Sequence, residues 1–273
     1  MTRHFIITRY NLAVPQWYEK NENLFESKNW LEKRNEYFLR FCYPSVINQT
    51  ATQFTWLIFF QSGTEHLLKQ VLVKLKAHSF IQPIFIKGAN ELEASIYENI
   101  TGNICKDTRR IVMTRLDNDD AIGIKFIQVI QKHARKLKSE MILDINNGLC
   151  LDLESNRLTR ISFKLNQFIS LIFDVDKFQS GQSIYSFEHL QAEFKYPVKE
   201  IDSKNLWLQI VHDQNQLNYS RGKSVSFSNL RGYPDYGIEN TIVTELKVLM
   251  SDFRRGMRKI PGYYRLKKLF NRI

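Results

Sequence analysis

Cysteine, clustered glycine and long apolar runs are all scarce in this sequence. Its three cysteines, Cys42, Cys105 and Cys150, are far apart and lack metal-binding spacing, which favours reduced thiols over a disulfide framework. The eleven glycines are scattered, with no GxGxxG or GxxxxGKS/T pattern, and this argues against a glycine-rich phosphate loop. No apolar run approaches the roughly 20 residues that span a bilayer, so we expect no transmembrane helix.

The sequence also lacks the features of an exported or a disordered protein. Residues 1–12, MTRHFIITRYNL, enter a strand-like run directly, without the apolar core of a signal peptide. There is no Gly/Ser linker, internal repeat or low-complexity tract, and 43% of the 273 residues are hydrophobic and 13% aromatic. These values predict a globular protein with one large or two small α/β domains, which we expect to be cytoplasmic.

Positive charge is concentrated at one end of the chain. The formal net charge is +11, of which residues 244–273 contribute +7 and the other 243 residues +4. Aromatic and aliphatic residues are interleaved with Arg and Lys in that segment, which indicates either an interfacial helix on anionic lipid or a helix packed on the sheet. We therefore predict a domain at 1–243 and a basic helical tail at 244–273, with residues 254–273 able to reach an anionic membrane surface and make the protein peripheral.

Apolar runs alternate with amphipathic segments in the first half of the sequence. Strands are predicted at 5–12, 54–60, 80–86, 110–116 and 140–145, and helices at 30–41, 65–78 and 120–137. This rhythm predicts an α/β fold with a mixed, mostly parallel sheet flanked by helices. From 149 to 196 the pattern changes to short strands, among them SIYSF at 183–187, which is typical of an antiparallel extension.

The most informative stretch is residues 110–122, RIVMTRLDNDDAI. Its apolar, β-branched part ends abruptly in Asp117, Asn118, Asp119 and Asp120. We expect a buried parallel strand whose acidic turn lies at the sheet edge where open α/β folds bind ligands. Three carboxylates within four residues repel one another, and Mg²⁺ or Mn²⁺, which in turn binds diphosphate, would offset that cost. A solvated turn or a helix N-cap is the alternative.

A second polar strand end follows the short apolar run WLQIV at 207–211. His212, Asp213 and Asn215 come directly after it. A histidine at such a position can bind a metal through its neutral imidazole. A structural role for a lone histidine is the more common outcome, so spacing alone leaves both interpretations open.

Several motifs of this chain occur together, and in the same order, in one family. They are TRYNL at 8–12, PSVINQT at 44–50, FTWLIFF at 54–60, TRLDNDDAI at 114–122, FISLIFD at 168–174, His189 and WLQIVHDQN at 207–215. Through them, from about residue 5 to residue 222, the chain resembles the putative rhamnosyl transferase family of bacterial glycosyltransferases with a GT-A fold. TRLDNDDAI and WLQIVH are the specific motifs.

The resemblance implies transfer of a sugar, L-rhamnose in the family's name, from a dTDP- or UDP-linked donor to a saccharide or lipid-linked saccharide acceptor. The residues it places at the donor are Thr8, Arg9, Arg115, Asp117 and Asn118. Arg115 could neutralise the departing diphosphate, a role that suits guanidinium geometry. It could equally pair with the carboxylates beside it.

The resemblance also implies a divalent metal, Mn²⁺ or Mg²⁺, which would stabilise the leaving diphosphate as a Lewis acid. Asp119 would bind the metal and His212 would complete its shell, and Asp117, near the donor's ribose, is a further candidate ligand. The sequence departs from the family pattern at Gln61, where an acidic residue is frequent after the FTWLIFF strand.

An inverting transfer needs a base that takes the proton of the acceptor hydroxyl. Asp174 ends the apolar run of FISLIFD, and desolvation by its neighbours would raise its pKa toward the working range. It is our first choice, although the family more often has a glutamate there. Glu188 and His189 are the reserves.

Two other functions would share some of these features. A nucleotidyltransferase also uses an acidic strand end, but it normally carries the glycine-rich phosphate loop that is missing here. A protein that binds nucleic acid or a membrane through the basic tail is the alternative. Against nucleic acid, no recognised motif is present and the acidic turn would repel phosphate without a metal, so we expect no nucleic-acid partner.

Overall fold

The computed structural model describes residues 1–12, 28–137, 140–213, 215 and 221–237. Its strands are β1 (Thr2–Arg9), β2 (Thr55–Gln61), β3 (Ile81–Ile86), β4 (Arg110–Arg115), β5 (Ala121–Ile122), β6 (Met141–Asp144), β7 (Asn147–Asp152), β8 (Arg157–Ser162), β9 (Ser170–Asp174), β10 (Val198–Glu200), β11 (Trp207–Val211) and β12 (Lys223–Ser224). Its α-helices are α1 (Lys28–Tyr37), α2 (Tyr43–Ile47), α3 (Lys69–Lys76), α4 (Leu92–Gly102) and α5 (Phe126–Ala134). A π-helical turn at Phe38–Cys42 joins α1 to α2.

The main sheet has seven strands in the order β10-β6-β9-β4-β1-β2-β3. Strands β3, β2, β1 and β4 are parallel neighbours, and β9 is antiparallel to both β4 and β6. Since β10 runs parallel to β6, only β9 opposes the common direction. The predicted mixed, mostly parallel sheet is therefore confirmed.

Both faces of the main sheet are buried by alternate residues of its central strands. On β1, Ile6 belongs to one apolar cluster, together with side chains of α1, α3 and α5. Phe5 and Ile7 belong to the other cluster, which includes α4 and the segment around residues 165–196. Burial on both faces explains why these strands are continuous apolar runs rather than alternating ones.

A smaller five-stranded sheet, in the order β12-β8-β7-β11-β5, adjoins the main one. Its strand β11 runs parallel to β7 and antiparallel to β5. The indole of Trp207 on β11 is fully buried over Gly148 of β7, and its Nε1 donates to the Ile145 carbonyl at 2.6 Å. This packing fixes the strand whose carboxyl end leads to His212.

The predicted strands and helices are present, with two corrections. Residues 121–122, predicted as part of a helix from 120 to 137, form β5 instead, because they pair with Trp207 and Leu208. SIYSF at 183–187 is not a strand; its backbone turns, with Ser183 accepting from the Tyr185 amide at 2.9 Å. None of the helices in the described ranges is long and apolar enough to cross a membrane. The predicted tail, 244–273, lies outside the described residues.

Asp144, at the end of β6, makes stability depend on pH. Its buried carboxylate accepts from the Leu165 amide at 2.6 Å and from Asn166 Nδ2 at 2.9 Å, and burial raises its pKa to about 6. The folded state therefore binds this proton more tightly than the unfolded chain, whose Asp titrates near 3.9. Its stabilising contribution is complete below about pH 4 and is lost as the pH rises through about 6.

We expect Asp144→Asn to remove this contribution. The unfolding free energy of the parent, relative to that of Asp144→Asn, should fall by about 2 kcal/mol from pH 4 to pH 7. Urea unfolding at both pH values measures it. A difference that stays constant between the two would contradict the assignment.

Candidate active site

The carboxyl ends of β1 and β4 meet at one edge of the main sheet, because these strands are parallel neighbours. Arg9 ends β1 and Arg115 ends β4. The acidic turn at 117–120 follows β4 directly, and its Asn118 Nδ2 donates to the Tyr10 carbonyl at 2.8 Å. The turn therefore lies against the segment that follows β1, at the predicted edge.

Two carboxylates of the turn are balanced by separate protein partners. Asp117 is partly exposed and pairs with Arg115, whose Nη2 lies 3.3 Å from Asp117 Oδ2. Asp120 is buried, and it accepts from the Ile210 amide at 2.9 Å and from Gln167 Nε2 at 3.2 Å. Burial and the neighbouring acidic charges raise the pKa of Asp120 well above its ordinary value. Asp120 thus joins β11 to the turn rather than facing a ligand.

Asp119 has the most partners in the turn. Its Oδ2 accepts from Arg34 Nη1, from His212 Nε2 at 3.0 Å and from Asn215 Nδ2 at 3.3 Å. Burial alone would raise its pKa, but the Arg34 charge and the hydrogen bond from His212 outweigh it and hold the pKa of Asp119 below its ordinary value. Asp119 is therefore a buried carboxylate in its charged form.

His212 is held by a hydrogen bond at its Nε2 atom and by an aromatic ring stacked on its face. It follows β11, which brings it against Asp119, and the ring of Tyr37 on α1 stacks on it with centroids 4.0 Å apart. The Tyr37 hydroxyl donates to Asp213 Oδ1 at 2.9 Å, and Lys33 pairs with the same carboxylate. Helix α1 thus covers the end of β11 and the acidic turn together.

Tyr185 contacts both arginines at the strand ends. The guanidinium carbon of Arg9 is 4.4 Å and that of Arg115 is 5.3 Å from the centre of its ring. Its hydroxyl donates to the Ile7 carbonyl at 3.2 Å. Cation–π contacts of this kind orient both guanidinium groups, so Tyr185 fixes two positive charges at the carboxyl edge beside Asp117.

His189 and Glu188 follow Tyr185 closely and belong to the same surroundings. Nδ1–H of His189 donates to the Leu165 carbonyl, and since a carbonyl only accepts, the lone pair of this imidazole is on Nε2. Burial and the charge of Arg115 lower the pKa of His189. Glu188 is exposed, and its negative charge favours a higher pKa for both His189 and Arg115. His189 is therefore a neutral imidazole with an available acceptor nitrogen.

The structure does not bring two of the sequence candidates to this site. Strand β9 is antiparallel to β4, so Asp174 lies opposite Arg110 at the other edge of the sheet, with Arg110 Nε 3.2 Å from Asp174 Oδ1. Thr8 is fully buried within β1, where its hydroxyl accepts from Trp56 Nε1 at 2.9 Å. The side chain of Thr8 thus supports the core, and only its neighbour Arg9 reaches the edge.

Arg34, Tyr37 and Tyr185 are site residues that the sequence analysis did not single out. Arg34 contacts Asp119 across 85 positions of sequence, and Tyr185 is 178 positions from Ile7. No motif or spacing marks such contacts. Aromatic residues occur near His212 and His189 in the sequence, but their presence does not show which aromatic ring packs at the site.

Binding of a divalent cation depends on which side chains lie together among the residues that the structure describes. No group of three or more His, Cys, Asp or Glu side chains is arranged there to hold a metal. Asp119 and His212 are nevertheless in direct contact, and a carboxylate oxygen with an imidazole nitrogen suits Mn²⁺. Mg²⁺ and similar ions often take few protein ligands and complete their shell with substrate phosphates. The pair therefore fits a metal shared with a diphosphate.

Comparison with solved structures gives distant likenesses. TarS of S. aureus, residues 1–349, is 11% identical over 77% of this chain and 60% of that one, with a TM-score of 0.44. A nucleotide-diphospho-sugar transferase, so described as putative, from Desulfovibrio desulfuricans is 10% identical over 77% and 80%, with a TM-score of 0.38. The inositol-1-phosphate CTP transferase from T. maritima is 11% identical over 79% and 92%, with a TM-score of 0.34.

The chain spans less than two thirds of the TarS fragment. No curated protein sequence matches the chain. A family model described as "Putative rhamnosyl transferase" matches residues 7–224, well over half of the chain and including the acidic turn, Tyr185 and His212. The chain therefore belongs to the putative rhamnosyl transferase family of glycosyltransferases.

Proposed function

We propose that this protein transfers a sugar from a nucleoside diphosphate donor bound at the carboxyl edge of the main sheet. The observation that supports this most is the junction of the acidic turn with His212 on one side and with a pair of arginines on the other. Cationic and acidic groups within one small region suit a diphosphate that is held by guanidinium groups and a metal. Family membership supports the same activity.

In this proposal Arg9 and Arg115 bind the donor's phosphates. Tyr185 keeps both guanidinium groups at the edge, and Asp117 holds Arg115 in a fixed orientation. Charge that develops on the leaving diphosphate would be stabilised by guanidinium groups that are already in place. Preorganised hydrogen-bond donors of this kind lower the free energy of a transition state. Asn118 is tied to the Tyr10 carbonyl and to Arg34, so its contribution is the shape of the turn.

Asp119 and His212 are the proposed ligands of a divalent cation, Mn²⁺ or Mg²⁺. Such an ion, when bound, would act as a Lewis acid on the diphosphate. The protein's own part is to keep both ligands adjacent: β11 fixes His212, and the turn after β4 fixes Asp119. Tyr37 restricts the imidazole further by stacking on it.

His189 takes the place of Asp174 as the proposed base for the acceptor hydroxyl. Its Nε2 can accept a proton because Nδ1 is committed to the Leu165 carbonyl. Burial keeps the ring neutral at physiological pH, as a base requires. Glu188, which is exposed beside it, is available to orient the acceptor.

The donor base, the sugar and the acceptor are finer proposals. The family description supports L-rhamnose, and we propose a dTDP- or UDP-linked donor, a saccharide or lipid-linked saccharide acceptor, and inversion. Cytoplasmic location stays a prediction. Peripheral attachment to anionic membranes through residues 254–273 also stays a prediction, since that segment lies outside the described residues.

The proposed activity can be tested by measuring the slow hydrolysis of candidate nucleotide-sugar donors in the absence of an acceptor. The protein would be incubated with dTDP-L-rhamnose, UDP-glucose and UDP-galactose, each with Mn²⁺ or with EDTA, and the released nucleoside diphosphate would be measured. We expect metal-dependent release from one nucleotide class. No release from any donor, together with no binding of the free diphosphates, would contradict the proposal.

Arg115→Gln should weaken binding of the nucleoside diphosphate by roughly 10- to 100-fold, because a charge-assisted contact to phosphate contributes about 1.5–3 kcal/mol. Arg110→Gln is the matched control: it removes the same charge from the opposite end of β4, where Arg110 pairs with Asp174. Calorimetric titration with UDP and dTDP measures both variants. Equal affinity for Arg115→Gln and Arg110→Gln would remove Arg115 from the donor site.

A further inference from the structure

We propose that Arg34 is a built-in counter-ion that occupies Asp119 in the metal-free protein and passes to the donor's diphosphate when metal and donor bind together. This inference rests on the metal-dependent donor binding proposed above. It assigns to a residue of α1 a function that neither the sequence motifs nor the family description contains. Its consequence is that the metal alone binds weakly.

The first support is the occupancy of Asp119. Its Oδ2 already accepts from Arg34, His212 and Asn215. The hydrogen bond from His212 uses Nε2, so the two proposed ligand atoms are committed to each other. A cation that binds here must separate them and must displace a positive charge from the same carboxylate oxygen.

The second support is the shielding of the ion pair. The side chains of Arg34 and Asp119 are only 12% and 9% exposed. In such surroundings, attraction between opposite charges and repulsion between like charges are much stronger than in water. The Arg34 guanidinium and a divalent cation therefore compete for one position at Asp119 instead of sharing it.

The third support is unused hydrogen-bonding capacity on Arg34. Its Nη1 contacts Asp119 and Asn118, its guanidinium lies 5.1 Å from the ring centre of Trp30, and its buried Nε has no hydrogen-bond partner within the described structure. Buried donors are nearly always satisfied in folded proteins. A planar guanidinium with an unused donor is suited to phosphate oxygens, which accept two parallel N–H groups.

These contacts predict coupling between metal and diphosphate. Without a nucleotide, a metal that displaces Arg34 leaves a buried guanidinium without a counter-ion, which is costly. With a diphosphate present, Arg34 exchanges one anionic partner for another, and that cost is avoided. Each ligand then raises the affinity for the other by the same factor.

The experiment is a titration with Mn²⁺, followed by electron paramagnetic resonance of the free ion, on the full chain with and without UDP or dTDP. Arg34→Gln should bind Mn²⁺ alone about tenfold more tightly than the parent, because the competing charge is gone, and should lose most of the enhancement given by the nucleotide. Lys33→Gln is the matched control. It removes the same charge from the same helix, where Lys33 pairs with the exposed Asp213, and it should behave as the parent.

Arg34→Lys is a second variant that keeps the charge, and its Mn²⁺ affinity without nucleotide should stay within about threefold of the parent. Circular dichroism at the titration temperature verifies that each variant is folded. If the parent binds Mn²⁺ and Arg34→Gln binds it no more tightly, or if Arg34→Lys binds it as tightly as Arg34→Gln should, the role of Arg34 is refuted and the metal site stands. If neither the parent nor Arg34→Gln binds Mn²⁺, with or without nucleotide, the proposed metal site fails as well.

Discussion

Replacing Asp119 with Asn should reduce Mn²⁺-dependent binding of UDP or dTDP at least about 100-fold. Asp119 is the carboxylate of the turn that contacts His212 and that is held charged in its surroundings. A neutral amide of the same shape loses both the charge and one acceptor oxygen, and a metal with only one remaining protein ligand is poorly held. Losing an interaction between charged groups at a shielded site commonly costs about 3 kcal/mol or more, which corresponds to an affinity loss of at least about 100-fold.

Calorimetry at a temperature well below the unfolding midpoint measures this effect. The midpoint itself should fall by several degrees, since Arg34 loses its buried partner. Asp174→Asn is the control, because Asp174 lies at the opposite edge of the sheet, where it pairs with Arg110. Metal-dependent binding that persists in Asp119→Asn would take Asp119 out of the metal site.

Gly148→Ala should destabilise the fold by about 3 kcal/mol, the upper part of the usual range for overpacking. A Cβ atom at Gly148 would lie 2.2 Å from Cδ2 and 2.3 Å from Cε2 of Trp207. The indole cannot move aside easily. It is fully buried, stacks on Phe168 with centroids 5.0 Å apart, and donates to the Ile145 carbonyl.

Urea unfolding compares Gly148→Ala with Gly102→Ala, whose added Cβ would meet no atom within 4 Å at the end of α4. We expect a change of less than about 0.5 kcal/mol for the control. Because Trp207 is on β11, which leads directly to His212, the Gly148→Ala protein that remains folded should also bind nucleotide more weakly. A variant as stable as the parent would show that the close packing of Gly148 against Trp207 does not limit stability.

The sequence predicted the central sheet well because its strands are buried on both faces. FTWLIFF and RIVMTR became β2 and β4 within one residue of the predicted ends. The aromatic and aliphatic run of FTWLIFF and the shorter Ile-Val-Met run of RIVMTR both suit a strand that is covered on two faces. The position of the acidic turn at the carboxyl edge followed from the same inference, since parallel strands end together.

Strand direction was the information that the sequence did not contain. The run FISLIFD is equally apolar whichever way it points, so Asp174 was expected near the acidic turn and lies at the opposite edge instead. The pairing of residues 121–122 with β11 was missed for a related reason. Two residues are too few to show a period, and their strand conformation depends on Trp207 and Leu208, which are distant in sequence.

The partners of Asp119 and Asp120 were also beyond the sequence. Three clustered carboxylates suggested that a metal was needed to balance their charge, whereas each has its own protein partner: Arg115 for Asp117, Arg34 for Asp119, and hydrogen bonds for Asp120. Arg34 and the Ile210 amide come from separate elements, and only the assembled fold brings them to the turn. Arg115 is local, and its pairing with Asp117 is one of the two roles that the sequence left open for it. A metal is thus proposed for its chemistry with a diphosphate, not because the turn is otherwise unbalanced.

Calorimetric titration of the protein with dTDP and with UDP, each in Mn²⁺ and in EDTA, tests the central claim most directly. We expect saturable binding of at least one diphosphate in Mn²⁺, weakened at least about tenfold in EDTA, and the preferred base would identify the donor class. Absence of binding for both diphosphates in both conditions would contradict a nucleoside diphosphate site at this edge of the sheet.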